Sequence, residues 1–272
     1  MSANLETPGK PCTDWDARAY QQFSRLRQQP VNELLDRVRV ENPRHIYDLG
    51  CGTGIATRLL AERWPHAQLQ GIDSSEEMLR EARCLPIKAS WQQCDLLDWT
   101  PENQADLLFA AAVLHFIDDH EQLLPRLLGY LNPGGCLAAH MPNWRDALWY
   151  RLMLDTLEDG GPDGTPLGTA QLRQRMAARP LLRLKDYYRL LAPVTRSLEI
   201  WESRQLQVVD GKSPVYDWVR VSALRQVMLG LDKEEQARFI YHFVMRVHKH
   251  YPQENDGHTL FPFKRIFIVA RV

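Results

Sequence analysis

The stretch Ile46-Tyr47-Asp48-Leu49-Gly50-Cys51-Gly52-Thr53-Gly54-Ile55 joins an apolar segment to a helical pattern through three glycines spaced two apart. It predicts a strand, a tight turn and a helix whose free N–H groups point at a bound ligand. A dinucleotide fingerprint needs glycine at position 55, where this chain has Ile55. A phosphate loop needs a Gly-Lys-Ser/Thr ending, and no lysine lies in the turn. A glycine turn that serves packing alone is the alternative.

A second strand that ends in an acid is predicted at Gln70-Gly71-Ile72-Asp73. Asp73 follows the glycines by about twenty residues, a spacing at which an acid can accept hydrogen bonds from two ribose hydroxyls. Ser74 and Glu77 are spaced as a capping box, which predicts that a helix begins after Ser74.

Three further segments follow in order. Gln93-Cys94-Asp95-Leu96 places an acid after a third strand, although Asp95 could instead cap a loop. The run from Ala105 to Phe116 is apolar almost throughout, as expected of a fourth strand that is covered on both faces. Asn132-Pro133-Gly134-Gly135 then predicts a turn into a fifth strand.

These five segments together resemble the class I S-adenosylmethionine-dependent methyltransferases. The resemblance implies an α/β, Rossmann-like fold with a seven-stranded, mostly parallel sheet flanked by helices and a helical cap. It implies S-adenosylmethionine as the cofactor, with the methionine part at Asp48 and the glycines, the ribose at Asp73 and the adenine at Asp95. The cofactor-binding residues that it implies are Asp48, Gly50, Gly52, Gly54, Asp73, Ser74, Met78, Asp95, Leu96 and Ala111, with Tyr20 and Arg25 as candidates from a leading helix.

Composition excludes several classes of partner. The 272 residues carry 33 Lys and Arg against 34 Asp and Glu, a formal charge of −1, which gives no reason to expect nucleic acid or an anionic membrane. Five scattered cysteines without paired spacing, no apolar run of about twenty residues and no N-terminal signal core predict a cytoplasmic protein. The histidines near the C-terminal end are not spaced for one helical face, so no metal site is predicted.

We expect a single domain over residues 1–272, with a helical lead (1–40), a cofactor-binding half (41–142) and a substrate or cap half (143–272). Apolar spacing in the lead predicts helices broken near Pro30. Alternating residues predict late strands at 196–209 and 263–272. The mostly helical segment between them, Val215 to Tyr251, is expected to cap a substrate pocket, unless it only thickens the core.

A narrower resemblance, to bacterial trans-aconitate 2-methyltransferases, runs nearly end to end. The residues that carry it are Asp14-Trp15-Asp16, Tyr187-Tyr188, Tyr216-Asp217-Trp218-Val219, Leu224-Arg225, Tyr251-Pro252 and the closing Phe261-Pro262. The chain departs from that family after the fourth strand, where Ala111, His115 and Phe116 replace an asparagine and a glutamine-tryptophan pair. It also departs between Leu148 and Arg179.

The resemblance implies methyl-ester formation on a small carboxylate acceptor. A carboxylate is ionised at neutral pH, so methyl transfer to it needs no general base and can rest on alignment and exclusion of water. A bidentate arginine suits a carboxylate, and Arg225 is the first candidate, with Tyr187 and Tyr188 as supporting donors and Trp144 in the pocket. A position on a helix surface is the alternative for Arg225. His115 could orient the acceptor or act as a base for a hydroxyl or amine.

Three alternatives stay open at this point. The acceptor could be a malonyl group on a carrier protein, for which Arg173, Arg175, Arg179 and Arg183 would supply a basic patch. It could be a hydroxyl or amine of a secondary metabolite. The protein could also be a cofactor-binding module without catalytic activity.

Overall fold

The computed structural model describes residues 24–162, 164–178, 181–221 and 223–272. In this part the elements are α1 (Ser24–Leu35), β1 (His45–Leu49), α2 (Ile55–Arg63), β2 (Gln68–Asp73), α3 (Glu76–Ala82), β3 (Ser90–Gln93), β4 (Ala105–Ala111), α4 (His120–Leu128), β5 (Leu131–Pro142), α5 (Leu148–Asp159), α6 (Ala170–Ala177), α7 (Leu184–Leu191), β6 (Ser197–Val209), α8 (Pro214–Arg220), α9 (Leu224–Leu229), α10 (Lys233–His250) and β7 (Thr259–Arg271), with 3₁₀ turns at Leu114–Phe116 and Ala192–Val194.

The seven strands form one sheet in the order β3-β2-β1-β4-β5-β7-β6. Strands β1 to β5 pair in parallel, and β7 pairs with β5 in the antiparallel direction. The predicted seven-stranded, mostly parallel sheet is therefore confirmed. Strand order reverses between β1 and β4, and in open α/β sheets ligands bind outside the carboxyl ends of the strands at such a point.

Helices cover both faces of the sheet. Adjacent residues of a covered strand point to opposite faces, so both have to be apolar. In β4, Leu107 belongs to a core cluster that includes Val31 and Leu34 of α1. The next residue, Leu108, belongs to a second cluster that includes Leu123 of α4. All five side chains are buried, so β4 is the covered strand that its apolar run predicts.

The predicted break of the leading helix near Pro30 is wrong. Helix α1 runs from Ser24 to Leu35 with Pro30 inside it. A proline in a helix interior costs about 3 kcal/mol. Three apolar side chains after it, Val31, Leu34 and Leu35, are buried, and fully burying such side chains contributes about 1.5–3 kcal/mol each. Packing against the sheet therefore outweighs the loss at Pro30.

The predicted capping box of Ser74 and Glu77 is also wrong by one residue. The N-cap of α3 is Ser75, whose side chain accepts a hydrogen bond from the Met78 N–H at 3.3 Å. The shift has a local cause, because Asp73 Oδ1 accepts a hydrogen bond from the Ser75 N–H at 2.9 Å and holds the chain in a turn before the helix.

The chain divides into two compact units, each described here by itself. The sheet unit contains residues 24–144, 181–205 and 262–272, and the helical unit contains 145–178 and 206–261. In the helical unit, α10 packs on α5, with Arg246 Nη2 2.5 Å from Asp159 Oδ2. Three apolar residues on one face of α10, Phe239, Phe243 and Val247, are buried. That these helices act as a cap, and that the chain is one domain, stay predictions.

None of the helices in the described ranges combines the length and the apolar character that are needed to cross a bilayer.

Candidate active site

The glycine loop between β1 and α2 lies at the carboxyl end of β1, and two of its residues explain why glycine is needed there. Gly50 has φ 65° and Gly52 has φ 55°, values that other residues adopt at a cost. A Cβ on Gly50 would lie 2.3 Å from the Val113 side chain. A Cβ on Gly52 would meet nothing within 4 Å and would project into open space. Gly50 is therefore required by packing, and Gly52 leaves room for a ligand beside the backbone.

Asp73 at the end of β2 is tied to this loop. Its Oδ2 accepts a hydrogen bond from the Gly52 N–H at 2.8 Å, and its Oδ1 accepts one from the Ser75 N–H. The carboxylate therefore lies next to the space beside Gly52. Two backbone N–H donors therefore hold the Asp73 carboxylate in a fixed position, where it could accept hydrogen bonds from ribose hydroxyls.

We expect Asp73→Ala to weaken cofactor binding by about 1–3 kcal/mol, because a hydrogen-bonded carboxylate and an anchor of the loop are lost together. Calorimetry with S-adenosylhomocysteine measures this directly. Asp73→Asn keeps an acceptor oxygen for the loop and is the matched control, expected to lose less. An unchanged dissociation constant for Asp73→Ala would remove this residue from the site.

Asp48, at the end of β1, is fully buried. Its Oδ2 accepts a hydrogen bond from the Thr57 hydroxyl of α2 at 2.6 Å. Its Oδ1 is buried without a hydrogen-bond partner among the described residues. Burial, opposed by the Thr57 hydrogen bond and reinforced by the negative charge of Asp73, raises the pKa of Asp48 to about 7. A cation bound next to this group would stabilise its charged form.

The residues expected at the ribose and adenine lie at the ends of β2 and β3. The Cys94 N–H donates to the Asp73 carbonyl at 3.0 Å, which brings Asp95 close to the end of β2. Asp95 is exposed, and its carboxylate accepts a hydrogen bond from the Leu97 N–H at 2.9 Å, so this acid does cap a loop. Leu96 and Met78 are buried. Ser74 is exposed.

After β4 the chain turns sharply beside the glycine loop. Ala111 is the last residue of β4, and Ala112 follows with φ 57°, which is rare for a residue other than glycine. The Ala112 N–H donates to the His140 carbonyl of β5 at 2.8 Å, and this hydrogen bond holds the turn. Val113 then contacts Gly50. The strained backbone therefore lies at the point where the strand order reverses.

His115 lies on the 3₁₀ turn after β4 and is 3% exposed. Its ring meets the Trp144 ring edge to face, with centroids 5.0 Å apart and planes at 83°. Its Nδ1 is buried without a hydrogen-bond partner among the described residues. Burial, together with His140, His120 and Arg27, lowers the pKa of His115 well below its usual 6.5. His115 is therefore neutral at pH 7.

Tyr187 was expected to donate a hydrogen bond to the acceptor, but its side chain lies in the core. His120 Nε2 lies 2.8 Å from the Leu114 carbonyl oxygen and must donate to it, because a carbonyl only accepts. His120 Nδ1 then accepts from the Tyr187 hydroxyl at 2.7 Å. A phenol has one proton, so in this arrangement Tyr187 supports the turn that carries His115 and has no proton left for an acceptor.

The other candidate residues are spread over the chain. Tyr188 follows on α7 and is 60% exposed. Trp144 lies in the sheet unit beside His115. Arg225 lies on α9 in the helical unit and is half-buried. Tyr20 and the side chain of Arg25 lie outside the described residues. The described ranges contain no group of three or more His, Cys, Asp or Glu side chains that could hold a metal ion.

Sequence reasoning missed three residues of this region: Thr57, His120 and His140. All three are buried. His140 interrupts an otherwise apolar run of β5, and because a buried polar group needs a partner, this isolated polar residue was the signal in the sequence that could have found it. Thr57 and His120 stand beside charged residues in the sequence, so no such signal marks them.

Comparisons with known proteins agree with this geometry. Residues 46–135 match a family described as a methyltransferase domain. Among solved structures, the YcgJ protein from Bacillus subtilis superposes with a TM-score of 0.55 at 13% identity, covering 89% of this chain and 97% of that one. A phosphoethanolamine N-methyltransferase of Haemonchus contortus superposes with a TM-score of 0.54 at 14% identity, covering 93% of this chain and 56% of that one. These two likenesses concern the fold.

Curated relatives align over almost the whole chain. The trans-aconitate 2-methyltransferase of Pseudomonas paraeruginosa is 62% identical over 95% of this chain and 94% of its own length. The enzyme of the same name from Azoarcus sp. is 41% identical over 94% of this chain and 98% of its own length. The enzyme of that name from Shigella flexneri is 35% identical, with coverage of 95% and 98%. Identity at this level over nearly full length, on a methyltransferase sheet with an intact glycine loop, shows that the chain belongs to the trans-aconitate 2-methyltransferase family.

Proposed function

We propose that this protein transfers the methyl group of S-adenosylmethionine to a carboxylate of trans-aconitate and forms a methyl ester. The observation that carries the proposal is the 62% identity to trans-aconitate 2-methyltransferases over 95% of the chain. The acceptor is a small molecule, and the cytoplasm as the place of the reaction stays a prediction.

The residues of the glycine loop fit this cofactor. The open space at Gly52 accommodates a ligand beside the backbone, and Asp73 stands next to it as an acceptor for ribose hydroxyls. The orphan oxygen of Asp48 is suited to the ammonium of the methionine part. When bound, S-adenosylmethionine supplies a methyl group on a positively charged sulfur.

The chain's own residues then have to orient the acceptor and exclude water. A carboxylate is already ionised at neutral pH, so no proton has to be removed before it is methylated. A neutral His115 agrees with this, because it can donate or accept one hydrogen bond without being needed as a base. In favourable cases, holding the reacting groups in line contributes about 7–11 kcal/mol.

Arg225 is the proposed clamp for an acceptor carboxylate. We expect Arg225→Ala to raise the Michaelis constant for trans-aconitate about tenfold or more, because a charge-assisted hydrogen bond contributes about 1.5–3 kcal/mol. Cofactor affinity should stay within about twofold, a limit that corresponds to about 0.4 kcal/mol. Arg220→Ala is the control, since Arg220 pairs with Asp217 in the same unit. Unchanged kinetics of Arg225→Ala would place the clamp elsewhere.

A methyl-transfer assay with labelled cofactor tests the function itself. The acceptors are trans-aconitate and other polycarboxylates, with malonyl-carrier protein and several phenols for comparison. A base-labile product from trans-aconitate is the expected result. Product from the carrier protein alone would favour the carrier-bound acceptor. Arg173, one of the arginines of the basic patch expected for a carrier protein, already donates hydrogen bonds to the Leu167 and Gly168 carbonyls, which argues against this alternative. Arg179 lies outside the described residues. Cofactor binding without any product would favour the non-catalytic module.

A further inference from the structure

A buried group of basic side chains lies on the sheet just beyond the cofactor loop. In the sheet register Asp48 pairs with Phe109, and two residues further along, Ala111 pairs with His140. Side chains two residues apart on a strand lie on the same face, so His140 lies on the face that carries Asp48. From a strand spacing of about 4.8 Å and a rise of about 3.3 Å per residue, the Cα atoms of Asp48 and His140 are about 12 Å apart.

Among the described residues, no hydrogen bond explains the polar side chain of His140. The side chain is 2% exposed, and both ring nitrogens are buried without a hydrogen-bond partner among the described residues. The ring packs near Phe267, with centroids 5.6 Å apart. A buried polar group without a partner destabilises a fold. An apolar residue would fill the same position without this penalty. Stability of the fold therefore does not explain why a histidine stands here.

Arg265 of β7 is a charged residue on this face whose charge acts on His140. It pairs in register with Pro142, next to His140 along β5. It is 3% exposed, donates to Gln205 Oε1 at 2.7 Å, and its guanidinium lies 4.6 Å from the centre of the Phe263 ring. A guanidinium keeps its charge under burial. Burial, and then the charge of Arg265, lower the pKa of His140 to about 3.

The elements packed around this group bring few negative charges to it. His115 and His120 follow β4, and Arg27 of α1 adds positive charge near His115. Glu33 of α1 is engaged elsewhere, since its carboxylate accepts from the Trp201 indole N–H at 2.9 Å and from the Ser203 hydroxyl. The imidazoles of His140 and His115 are therefore kept neutral among positive neighbours, in a position where an anion would be stabilised.

We propose that His140, His115 and Arg265 form a subsite that binds a carboxylate of the acceptor other than the one that is methylated. A carboxylate here would meet the guanidinium and give the unpartnered imidazole nitrogens a hydrogen-bond acceptor. Each imidazole that donates through both nitrogens takes up a second proton. The subsite would select acceptors with at least two carboxylates. This inference rests on the proposed function in one respect, namely that the acceptor carries more than one carboxylate.

Proton uptake tests the subsite without turnover. The full-length protein is saturated with S-adenosylhomocysteine and titrated with trans-aconitate at pH 5.5 and pH 7.5 in buffers of different ionisation enthalpy. A carboxylate in contact with His140 should raise its pKa from about 3 by about 1–3 units, so the wild type should take up a fraction of a proton at pH 5.5 and almost none at pH 7.5. His140→Gln, which keeps a donor but cannot be charged, should lose this uptake at pH 5.5. Equal proton uptake by the wild type and His140→Gln at pH 5.5 would overturn the proposal.

Kinetics with matched variants give a second readout. His140→Gln should raise the Michaelis constant for trans-aconitate about tenfold or more and leave the dissociation constant of S-adenosylhomocysteine within about twofold. The control is His66→Gln, because His66 is exposed and precedes β2, at the amino ends of the parallel strands. Arg265→Lys keeps the positive charge but loses the bidentate geometry of the guanidinium, and it replaces His140→Gln as the test variant if His140→Gln does not fold.

The outcomes separate the two proposals. Ester formation on trans-aconitate with unchanged constants for both variants would overturn the subsite and leave the proposed function standing. Absence of ester in the wild type would overturn the proposed function. Titration with trans-aconitate and other polycarboxylates would then still decide whether His140 and Arg265 bind carboxylates.

Discussion

Wild type without ligand is expected to lose stability between pH 5 and pH 8, and Asp48→Asn is expected not to show this loss. The variant should therefore compare more favourably with wild type at pH 8 than at pH 5. The reason is the burial of Asp48, whose pKa of about 7 in the folded protein lies well above the ordinary value of 3.8. Between these two values the folded protein holds a proton that the unfolded chain has lost. The free energy of unfolding therefore falls as pH rises towards 7, and above pH 7 this group causes no further loss.

The size of the effect follows from the same shift. At about 1.36 kcal/mol per pKa unit, wild type should lose about 2–3 kcal/mol of stability through this group between pH 5 and pH 8. Asn cannot ionise, so Asp48→Asn should not show this loss. Whatever the variant loses at its hydrogen bond with Thr57 is the same at both pH values. The pH-dependent difference between the two proteins therefore isolates the ionisation of Asp48.

Urea denaturation of both proteins at pH 5 and pH 8 measures this difference. Asp106→Asn is the matched control. Although partial burial disfavours its charge, hydrogen bonds from the His45 N–H, the Asn132 side chain and the Arg44 N–H lower the pKa of Asp106. Its contribution is present throughout this pH range, so its variant should lose the same stability at both pH values. Parallel behaviour of Asp48→Asn and Asp106→Asn would contradict the shifted pKa.

The same substitution should weaken cofactor binding. If Asp48 binds the ammonium of the methionine part, wild-type affinity for S-adenosylhomocysteine rises between pH 6 and pH 8 as the carboxylate becomes charged. Asp48→Asn should bind about 10- to 100-fold more weakly at pH 8, as expected for the loss of a hydrogen bond to a charged group. Its affinity should not depend on pH in this range. Equal affinities at pH 8 would remove Asp48 from the cofactor site.

The local parts of this fold could be predicted from sequence because local physics decides them. The strand, glycine turn and helix around Gly52 follow from backbone freedom, and the acid at the end of β2 follows from the apolar residues before it. The apolar run of β4 indicates coverage on both faces before any neighbour is known. These features need no knowledge of which elements pack together.

What could not be predicted depends on contacts between distant segments. Pro30 lies inside a helix because the residues after it pack on the sheet. The cap of α3 at Ser75 is an exception with a local cause, since Asp73 Oδ1 accepts a hydrogen bond from the Ser75 N–H. Tyr187 was expected at the acceptor, but its hydroxyl bonds to His120, 67 residues earlier in the sequence. A sequence pattern identifies a polar residue, and only packing decides whether its hydrogen bond goes to a ligand or to the core.

Replacing single glycines of the loop by alanine should separate the packing requirement from the ligand requirement. Gly50→Ala places a methyl group 2.3 Å from Val113 at a positive φ. Backbone strain of about 1–2 kcal/mol and overpacking of about 1–3 kcal/mol together predict a loss of about 2–5 kcal/mol of stability. Gly52→Ala meets nothing within 4 Å, so it should lose only the strain energy. Its methyl group should instead obstruct the cofactor.

Gly134→Ala is the matched control for Gly52→Ala. Gly134 has φ 85°, and a Cβ there also meets nothing within 4 Å, but it lies at the start of β5, away from the carboxyl ends of the strands. Both variants should lose a similar amount of stability in urea. Only Gly52→Ala should lose affinity for S-adenosylhomocysteine, by about tenfold or more if its methyl group displaces a backbone hydrogen bond to the ligand. If Gly52→Ala and Gly134→Ala bound it equally well, the open space at Gly52 would not be the place where the cofactor approaches the backbone, and the glycine loop would serve packing alone.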